Sequence, residues 1–241
     1  MRASPSVEDN SPIPYDRSSP WWVVFDYGEV LSLQTDVRPA MAELLHVPVP
    51  DFCDAWASER YAYDRGASDT EYWWAVGARL GVPVDEELAA RLTAIDISGW
   101  IETRPEALAL LAELAEARIP LALLSNAPYS HARVFRRQPW AASFRHLLFS
   151  GELGMAKPQP EVWDCLTEQL GARASDLLFL DDRQENVDSA RAAGLRAEHW
   201  TTTDRARDRL VDFGLCPYRP EASPPEDASP ADVQATRQHS G

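Results

Sequence analysis

Short apolar runs alternate with helical patterns through the middle of the chain. The runs lie at residues 22–25, 121–124, 146–149 and 177–180, with a weaker one at 196–200. Alternation of this kind is typical of a parallel β-sheet covered by helices. The pattern therefore predicts an α/β fold in which these runs are the strands.

The interval between the first and second runs has a different pattern. Residues 36–103 contain no strand-like run and instead carry helical segments at 39–46, around Phe52 and Trp56, after Ser68, and at 86–95. Ser68 and Glu71 have the spacing of a capping box, in which two side chains bind backbone N–H groups at a helix start. The sequence thus predicts an all-helical insert directly after the first strand.

Other residues mark where helices of the core begin and end. Thr103 and Glu106 also have capping-box spacing, and Pro105 between them suits a first helical turn. Gly171 and Gly194 follow helical patterns at positions where glycine commonly ends a helix. These signals predict a helix that starts near residue 104 and two helices that end near the glycines.

Both ends of the chain are rich in proline and serine. Residues 1–19 repeat the pair Ser-Pro, and residues 217–241 contain the sequence PEASPP. Such segments bury too little apolar surface to offset the entropy lost on ordering. We expect disordered tails at 1–19 and 217–241, an α/β core at 20–35 and 104–216, and the helical insert at 36–103.

The net charge and the cysteines narrow the range of partners and compartments. A formal charge of -15 disfavours nucleic acid and anionic membrane as partners. Cys53, Cys165 and Cys216 form no Cys-x-x-Cys pair, which favours a reducing compartment over a disulfide framework or a cysteine-bound zinc ion. There is no apolar run long enough to span a bilayer and no leader pattern. The sequence predicts a cytoplasmic protein.

Polar residues with chemical potential follow four of the predicted strands. In chain order they are Asp26, Ser125 with Asn126, Lys157, and Asp181 with Asp182. The carboxyl ends of parallel strands meet at one edge of the sheet, so these groups are expected to converge on one crevice. Two adjacent carboxylates at the end of a buried strand repel each other, and a hard cation such as Mg²⁺ relieves that repulsion.

The order and setting of these residues resemble the haloacid dehalogenase (HAD) superfamily. Residues 25–31 (FDYGEVL), 124–126 (LSN), 154–158 (GMAKP) and 179–182 (FLDD) resemble its four motifs in sequence order. The resemblance covers residues 20–200 and implies a Rossmann-like core with an all-helical cap of the C1 type. Similar members are the sugar-phosphate phosphatases that include bacterial α-glucose-1-phosphate phosphatase, and the phosphatase domain of soluble epoxide hydrolase.

The resemblance also implies roles for the polar residues. Asp26 would be the nucleophile, and Mg²⁺ would be held by Asp26, the carbonyl of Gly28 and Asp182. Ser125 and the backbone N–H of Asn126 would bind phosphate oxygens.

Further residues would support these groups. Lys157 would neutralise charge in the transition state and orient Asp26, with Asp181 as its partner, while Asn186 would support the metal through water. From the cap, Tyr63 and Arg65 would bind the substrate. The expected function is a Mg²⁺-dependent phosphatase that hydrolyses a small phosphorylated metabolite, such as a sugar phosphate, through an aspartyl-phosphate intermediate. We expect a monomer or homodimer without nucleic-acid or membrane partners.

Gly28 departs from the pattern of most phosphatases in the superfamily, which carry a general-acid Asp at this position. A positioned acid contributes on the order of 10²–10⁴ in rate, so its loss favours a good leaving group such as an anomeric oxygen. Glu29 is an alternative proton donor.

Two other functions stay open. The first is a weakly active or inactive HAD-fold protein that serves in binding or regulation. The second is a 2-haloacid dehalogenase, which also lacks the second Asp but needs no metal. The Asp181–Asp182 pair argues against it, because uncompensated acids would repel a carboxylate substrate.

Overall fold

A five-stranded, all-parallel sheet forms the centre of the protein. The computed structural model describes residues 21–216, so both predicted disordered tails lie outside the described residues. The strand order is β3-β2-β1-β4-β5. The strands are β1 (Trp22–Phe25), β2 (Leu121–Ser125), β3 (His146–Phe149), β4 (Leu177–Asp181) and β5 (Arg196–His199). The predicted α/β fold is confirmed, with β2 and β4 each one residue longer than expected.

The register aligns the carboxyl ends of the three central strands. Phe25, the last residue of β1, pairs with Leu123 of β2 and with Leu180 of β4. The backbone N–H of Asp26 continues the ladder by donating to the carbonyl oxygen of Leu180 at 2.9 Å. The residues that follow these strands therefore meet at one edge of the sheet.

Helices cover both faces of the sheet. The side chains of β1 alternate between two hydrophobic clusters, since Val23 and Phe25 belong to one and Trp22 and Val24 to the other. The helices are α1 (Arg38–Leu45), α2 (Val49–Tyr63), α3 (Asp69–Leu80), α4 (Glu86–Ser98), α5 (Pro105–Glu116), α6 (Tyr129–Phe135), α7 (Ser150–Leu153), α8 (Pro160–Leu170), α9 (Gln184–Ala192) and α10 (Thr203–Asp212), with short 3₁₀ helices at Pro139–Ser143 and Ala174–Asp176.

Helices α1 to α4 form the predicted insert between β1 and β2. They enclose a third hydrophobic cluster that includes Phe52, Trp73 and Leu92. The predicted capping box at the start of α3 is present, because the Ser68 hydroxyl accepts from the N–H of Glu71 and the Glu71 carboxylate accepts from the N–H of Ser68. An isolated bridge between Ser32 and Thr103 holds the two ends of the insert together.

The capping box predicted from Thr103 and Glu106 is wrong. The residue before α5 is Arg104 rather than Thr103, and no side chain caps the helix, although Pro105 occupies its first turn as expected. At the other ends, Gly171 closes α8 in the left-handed conformation, and Gly194 follows α9 with φ 87°. In residues 21–216, none of the helices has the length and apolar character needed to cross a membrane.

Candidate active site

A buried lysine joins two carboxylates at the carboxyl edge of the sheet. The Nζ atom of Lys157 lies 2.7 Å from Oδ1 of Asp26 and 2.7 Å from Oδ2 of Asp181. Asp26 follows β1 and Asp181 ends β4, so neighbouring strands fix the two acids. The side chains of Lys157 and Asp181 are 1% and 0% exposed, which leaves the ammonium group no partner in bulk water.

Asparagine side chains hold this arrangement in place. The Asn126 amide donates to the carbonyl oxygen of Lys157 at 2.8 Å and accepts from its N–H at 2.9 Å, which ties the loop after β2 to the loop that carries the lysine. The peptide bond between Lys157 and Pro158 is cis. On the other side, Asn186 donates to both oxygens of Asp181 at 2.9 and 3.1 Å. Asn126 and Asn186 are thus positioning residues.

Three carboxylates gather around this lysine. Ligand oxygens of Asp26, Asp181 and Asp182 lie within 4.8 Å of one another. Their combined charge exceeds that of the single Lys157 ammonium. Nearby, Oδ1 of Asn186 is buried without a hydrogen-bond partner among the described residues. An oxygen-rich, anionic cluster with an unpaired acceptor fits a hard cation such as Mg²⁺.

The pKa values of the cluster reflect burial first and neighbouring charge second. Burial raises the pKa of Asp26 to about 7 against the opposing effect of Lys157, and the charge of Asp181 adds to the rise. Burial and then repulsion from Asp181 raise the pKa of Asp182. Burial opposes the charged form of Lys157, but attraction to Asp181 and Asp26 outweighs it and raises the pKa of the lysine. The cluster therefore favours further positive charge.

A cavity of about 220 Å³ opens above this edge of the sheet. The predicted site residues that line it are Asp26, Gly28, Ser125, Asn126, Lys157, Asp182 and Asn186. Asp181 lies beneath them, fully buried against Lys157. One sheet edge therefore brings together every core residue that the four motifs singled out.

Tyr63 is a core residue of the insert, and the prediction that it binds substrate is corrected. Its side chain is fully buried, stacks on Tyr72 with ring centroids 4.0 Å apart, and does not line the cavity. The hydroxyl donates to Asp69 at 2.6 Å and lies 3.2 Å from the hydroxyl of Ser130 in the core. Burial among aromatic neighbours explains why the residue cannot reach a ligand.

Arg65 does not line the cavity in this structure, and its predicted substrate contact stays a prediction. Its guanidinium lies 3.4 Å from the ring centroid of Tyr61, and its Nε donates to Gln159 at 2.9 Å. Because Gln159 belongs to the loop that carries Lys157, Arg65 joins the insert to the core.

The sequence did not reveal a cluster of polar residues from which Arg60 and His131 line the cavity. Arg60 of α2 binds Asp64 at 2.8 Å and Asp96 of α4 at 3.0 Å. The Nε2 atom of His131 lies 3.3 Å from Asp96, although its orientation gives no hydrogen bond. One signal was available: Asp96 follows Leu92 by four residues, which places a carboxylate on the apolar face of a helix.

Replacing Tyr63 with Phe tests its structural role. We expect Tyr63→Phe to lower the free energy of unfolding by about 1–3 kcal/mol, since the lost hydroxyl binds a carboxylate. The ranking of substrates should stay unchanged. Denaturant unfolding and an activity panel measure the two effects, with Tyr61→Phe as control because Tyr61 is 68% exposed. A changed ranking at unchanged stability would restore Tyr63 as a substrate contact.

Comparison with known proteins identifies the family. Residues 22–194 match the sequence model described as haloacid dehalogenase-like hydrolase. The chain belongs to this hydrolase family. The resemblance that the four motifs predicted is thereby confirmed, and this HAD-family hydrolase can be compared with individual members.

Its curated relatives include phosphatases. The hydrolase is 36% identical over 122 residues to the phosphoserine phosphatase of Thermus thermophilus, which is 50% of this chain and 45% of that enzyme. It is 24% identical over 180 residues to the sesquiterpene phosphatase astK of Aspergillus oryzae, which is 74% of this chain and 88% of that protein. The chain spans about half the length, or less, of most of the curated relatives that it matches.

Solved structures share the fold. A HAD family enzyme of Bacteroides thetaiotaomicron, in complex with magnesium and inorganic phosphate, superposes with a TM-score of 0.60 at 21% identity, covering 76% of this chain and 95% of that one. The L-2-haloacid dehalogenase of Xanthobacter autotrophicus, with chloropropionic acid covalently bound, also has a TM-score of 0.60 and 21% identity, covering 83% and 85%. Both a phosphate-binding and a dehalogenating enzyme therefore have this architecture.

Proposed function

We propose that this hydrolase is a Mg²⁺-dependent phosphatase that acts on a small phosphorylated metabolite of the sugar phosphate class through an aspartyl-phosphate intermediate. The observation that carries the proposal is the cluster of Asp26, Lys157, Asp181 and Asp182 at one edge of the sheet. Phosphatases among the relatives, and the neighbour that binds magnesium and phosphate, support it.

Asp26 is the proposed nucleophile. One of its carboxylate oxygens attacks phosphorus, the bond from phosphorus to the leaving oxygen breaks, and that oxygen leaves as an alkoxide that takes up a proton. Water then attacks the phosphorus of the aspartyl phosphate, which releases inorganic phosphate and restores the carboxylate. Splitting one difficult displacement into two steps is the general benefit of covalent catalysis.

Other residues bind the phosphate and position the nucleophile. Ser125, at the end of β2, and the backbone N–H of Asn126 are proposed to bind phosphate oxygens. Lys157 contacts Asp26 at 2.7 Å, so it holds the attacking carboxylate and offsets the negative charge of the transition state. Asn126 maintains Lys157 through its backbone, and Asp181 completes the pairing.

The acidic cluster fits Mg²⁺, with Asp26, the carbonyl of Gly28 and Asp182 as the proposed ligands. When bound, the metal would neutralise negative charge on the phosphate and on the acids around it. Asn186 is proposed to bind a water molecule of the metal, and its buried oxygen without a hydrogen-bond partner supports this role.

Metal dependence is the first test of this function. We expect hydrolysis of acetyl phosphate to fall at least about 10²-fold in excess chelator, because the cluster then repels the phosphate, and to return with Mg²⁺. A colorimetric phosphate assay with a chelator titration measures this. Full activity in excess chelator would contradict the proposal.

Halide release is the complementary test. We expect the pure protein to release no halide from 2-chloropropionate, because the excess negative charge at Asp26, Asp181 and Asp182 disfavours a carboxylate substrate. An ion-selective electrode measures the product. Halide release that persists in chelator would identify a dehalogenase instead. Absence of both activities would favour a binding or regulatory protein.

A further inference from the structure

The space beside Gly28 is filled by an indole ring. A side-chain carbon built on Gly28 would lie 3.3 Å from Cζ3 of Trp100 and 3.9 Å from Cη2. The backbone of Gly28 lies outside the left-handed region, so conformational freedom does not explain the glycine. The glycine and the tryptophan are instead sterically complementary, and the ring takes the place where a larger residue 28 would project.

Two hydrogen bonds hold the backbone of Trp100 in this position. The hydroxyl of Tyr27 donates to the Trp100 carbonyl oxygen at 2.7 Å, and the Trp100 N–H donates to the carbonyl oxygen of Ile97 at 3.0 Å. The ring packs on the larger core cluster, yet it is only half-buried and lines the cavity. The ring thus offers an apolar surface to the cavity that Asp26 also lines.

Two polar residues, Glu29 and Gln34, also line the cavity. Glu29 adopts φ 54°, the left-handed region that non-glycine residues rarely occupy, and such backbone strain often accompanies function. One oxygen of its carboxylate accepts from Arg104 at 2.6 Å, and the other accepts from the N–H of Gln34 at 3.0 Å. Both residues line the cavity, Glu29 with its carboxylate held by these two hydrogen bonds and Gln34 with its backbone N–H bound to that carboxylate.

The cations of the cavity wall are already paired with carboxylates. Arg60 binds Asp64 and Asp96, Lys157 binds Asp26 and Asp181, and Arg183 binds Glu185. Among the described residues of this wall, each arginine and lysine has a carboxylate partner, and the exposed Arg183–Glu185 pair is the weakest of these pairs. This charge balance favours a leaving group without charge.

We propose that Trp100 is a specificity-determining residue and that, with Glu29 and Gln34, it forms a subsite for an uncharged cyclic polyol as the leaving group. Such a ring has apolar C–H faces, one of which stacks on the indole, and hydroxyl groups at its rim that bond to the carboxylate and amide. An apolar wall with a few placed polar groups is the usual design of a small-molecule site. The inference rests on the proposed phosphatase function and specifies its substrate.

The test compares Trp100→Leu and Trp100→Phe with wild type in the full chain with Mg²⁺. The substrates are hexose phosphates, inositol phosphate, and acetyl phosphate, whose leaving group is too small to cover the indole. We expect Trp100→Leu to raise KM for the best polyol phosphate about tenfold or more with a smaller change in kcat, since the apolar face of the polyol loses the flat surface that it covers. For acetyl phosphate, whose leaving group is too small to cover the indole, kcat and KM should change less than about twofold. A tenfold change corresponds to about 1.4 kcal/mol of lost interaction free energy.

Controls separate recognition from folding. Trp100→Phe keeps an aromatic face and should retain most of the affinity for the polyol phosphate. Trp74→Leu is the matched control, because Trp74 is 51% exposed on α3 and does not line the cavity. It should change neither KM nor kcat.

Several results would overturn the subsite. An equal loss for polyol phosphates and acetyl phosphate in Trp100→Leu would make Trp100 purely structural. Faster turnover of phosphoserine or phosphoglycolate than of any polyol phosphate would show that the subsite accepts a charged leaving group. In both cases the phosphatase function would stand. If wild type hydrolyses neither polyol phosphates nor acetyl phosphate with Mg²⁺, the phosphatase function fails and the subsite fails with it.

Discussion

Asp26→Asn is expected to lose about 10⁴-fold or more in kcat for every phosphoester, because an amide oxygen is a far weaker nucleophile than a carboxylate. The substitution preserves shape, so the protein should remain folded. Moreover, it removes one of three crowded negative charges, so the free energy of unfolding measured without metal should not fall greatly. Phosphate release with acetyl phosphate measures the loss of activity.

The matched control for this variant is Asp164→Asn. Asp164 is an exposed acid of α8 outside the cavity, and its replacement should leave kcat within about twofold of wild type, as is usual for surface substitutions. Wild-type turnover by Asp26→Asn would show that Asp26 does not attack phosphorus.

Lys157→Met is expected to have the largest effect on stability. The ammonium lies 2.7 Å from each of two buried carboxylates, and removing one partner of a buried pair costs about 3–5 kcal/mol. That is a large share of the roughly 5–15 kcal/mol that stabilises a typical protein. Urea unfolding in the presence of chelator measures the loss, because a bound cation would offset part of it.

A double variant distinguishes charge from packing. If the loss arises from unpaired carboxylates, Lys157→Met combined with Asp181→Asn should recover part of the stability but no activity. Equal or greater destabilisation in the double variant would mean that Lys157 stabilises the fold by packing alone.

Lys157 is also the only lysine in the chain, since every other residue in the Lys plus Arg count of 23 is arginine. A compact ammonium fits between two carboxylates where the planar guanidinium of arginine would need more room. We expect Lys157→Arg to lower kcat by about 10²-fold or more. Removing a group that is positioned to stabilise negative charge in the transition state has an effect of this size. Near wild-type kcat in this variant would show that any cation suffices.

The sequence predicted the parallel sheet and the polar residues at its carboxyl edge because both depend on local patterns. Buried strands are continuous apolar runs, and each run is followed by the polar residue that its carboxyl end presents. The four motifs therefore placed Asp26, Ser125, Lys157 and Asp182 along one cavity wall without knowledge of the register. The helical insert was predictable for the same reason, since helical spacing and the cap at Ser68 are local signals.

The residues that complete the cavity depend on long-range packing. Trp100 lies next to Gly28 only because the insert returns to the core beside β1, and no pattern within either segment shows this contact. Tyr63 was predicted to contact the substrate. Sequence alone does not distinguish an aromatic residue that packs in the core of the insert from one that faces a ligand. Only the fold shows that it stacks on Tyr72.

Gly28 accordingly has a different meaning in the structure. Sequence alone shows that the usual general acid is missing, whereas the structure shows that the ring of Trp100 lies close to where a side chain at position 28 would begin. Gly28→Asp would bring a side-chain carbon to 3.3 Å from the ring of Trp100, so the ring would have to shift slightly and the proposed subsite would change with it.

The most direct measurement of the central claim is a search for the aspartyl phosphate itself. The protein with Mg²⁺ is mixed with acetyl phosphate, quenched in acid within the first turnover, digested, and mapped by mass spectrometry. We expect one base-labile phosphoryl group on the peptide that contains Asp26, and none on that peptide in Asp26→Asn. Steady turnover of acetyl phosphate with no phosphoryl group on Asp26, or with the group on Ser125, would contradict the proposed mechanism.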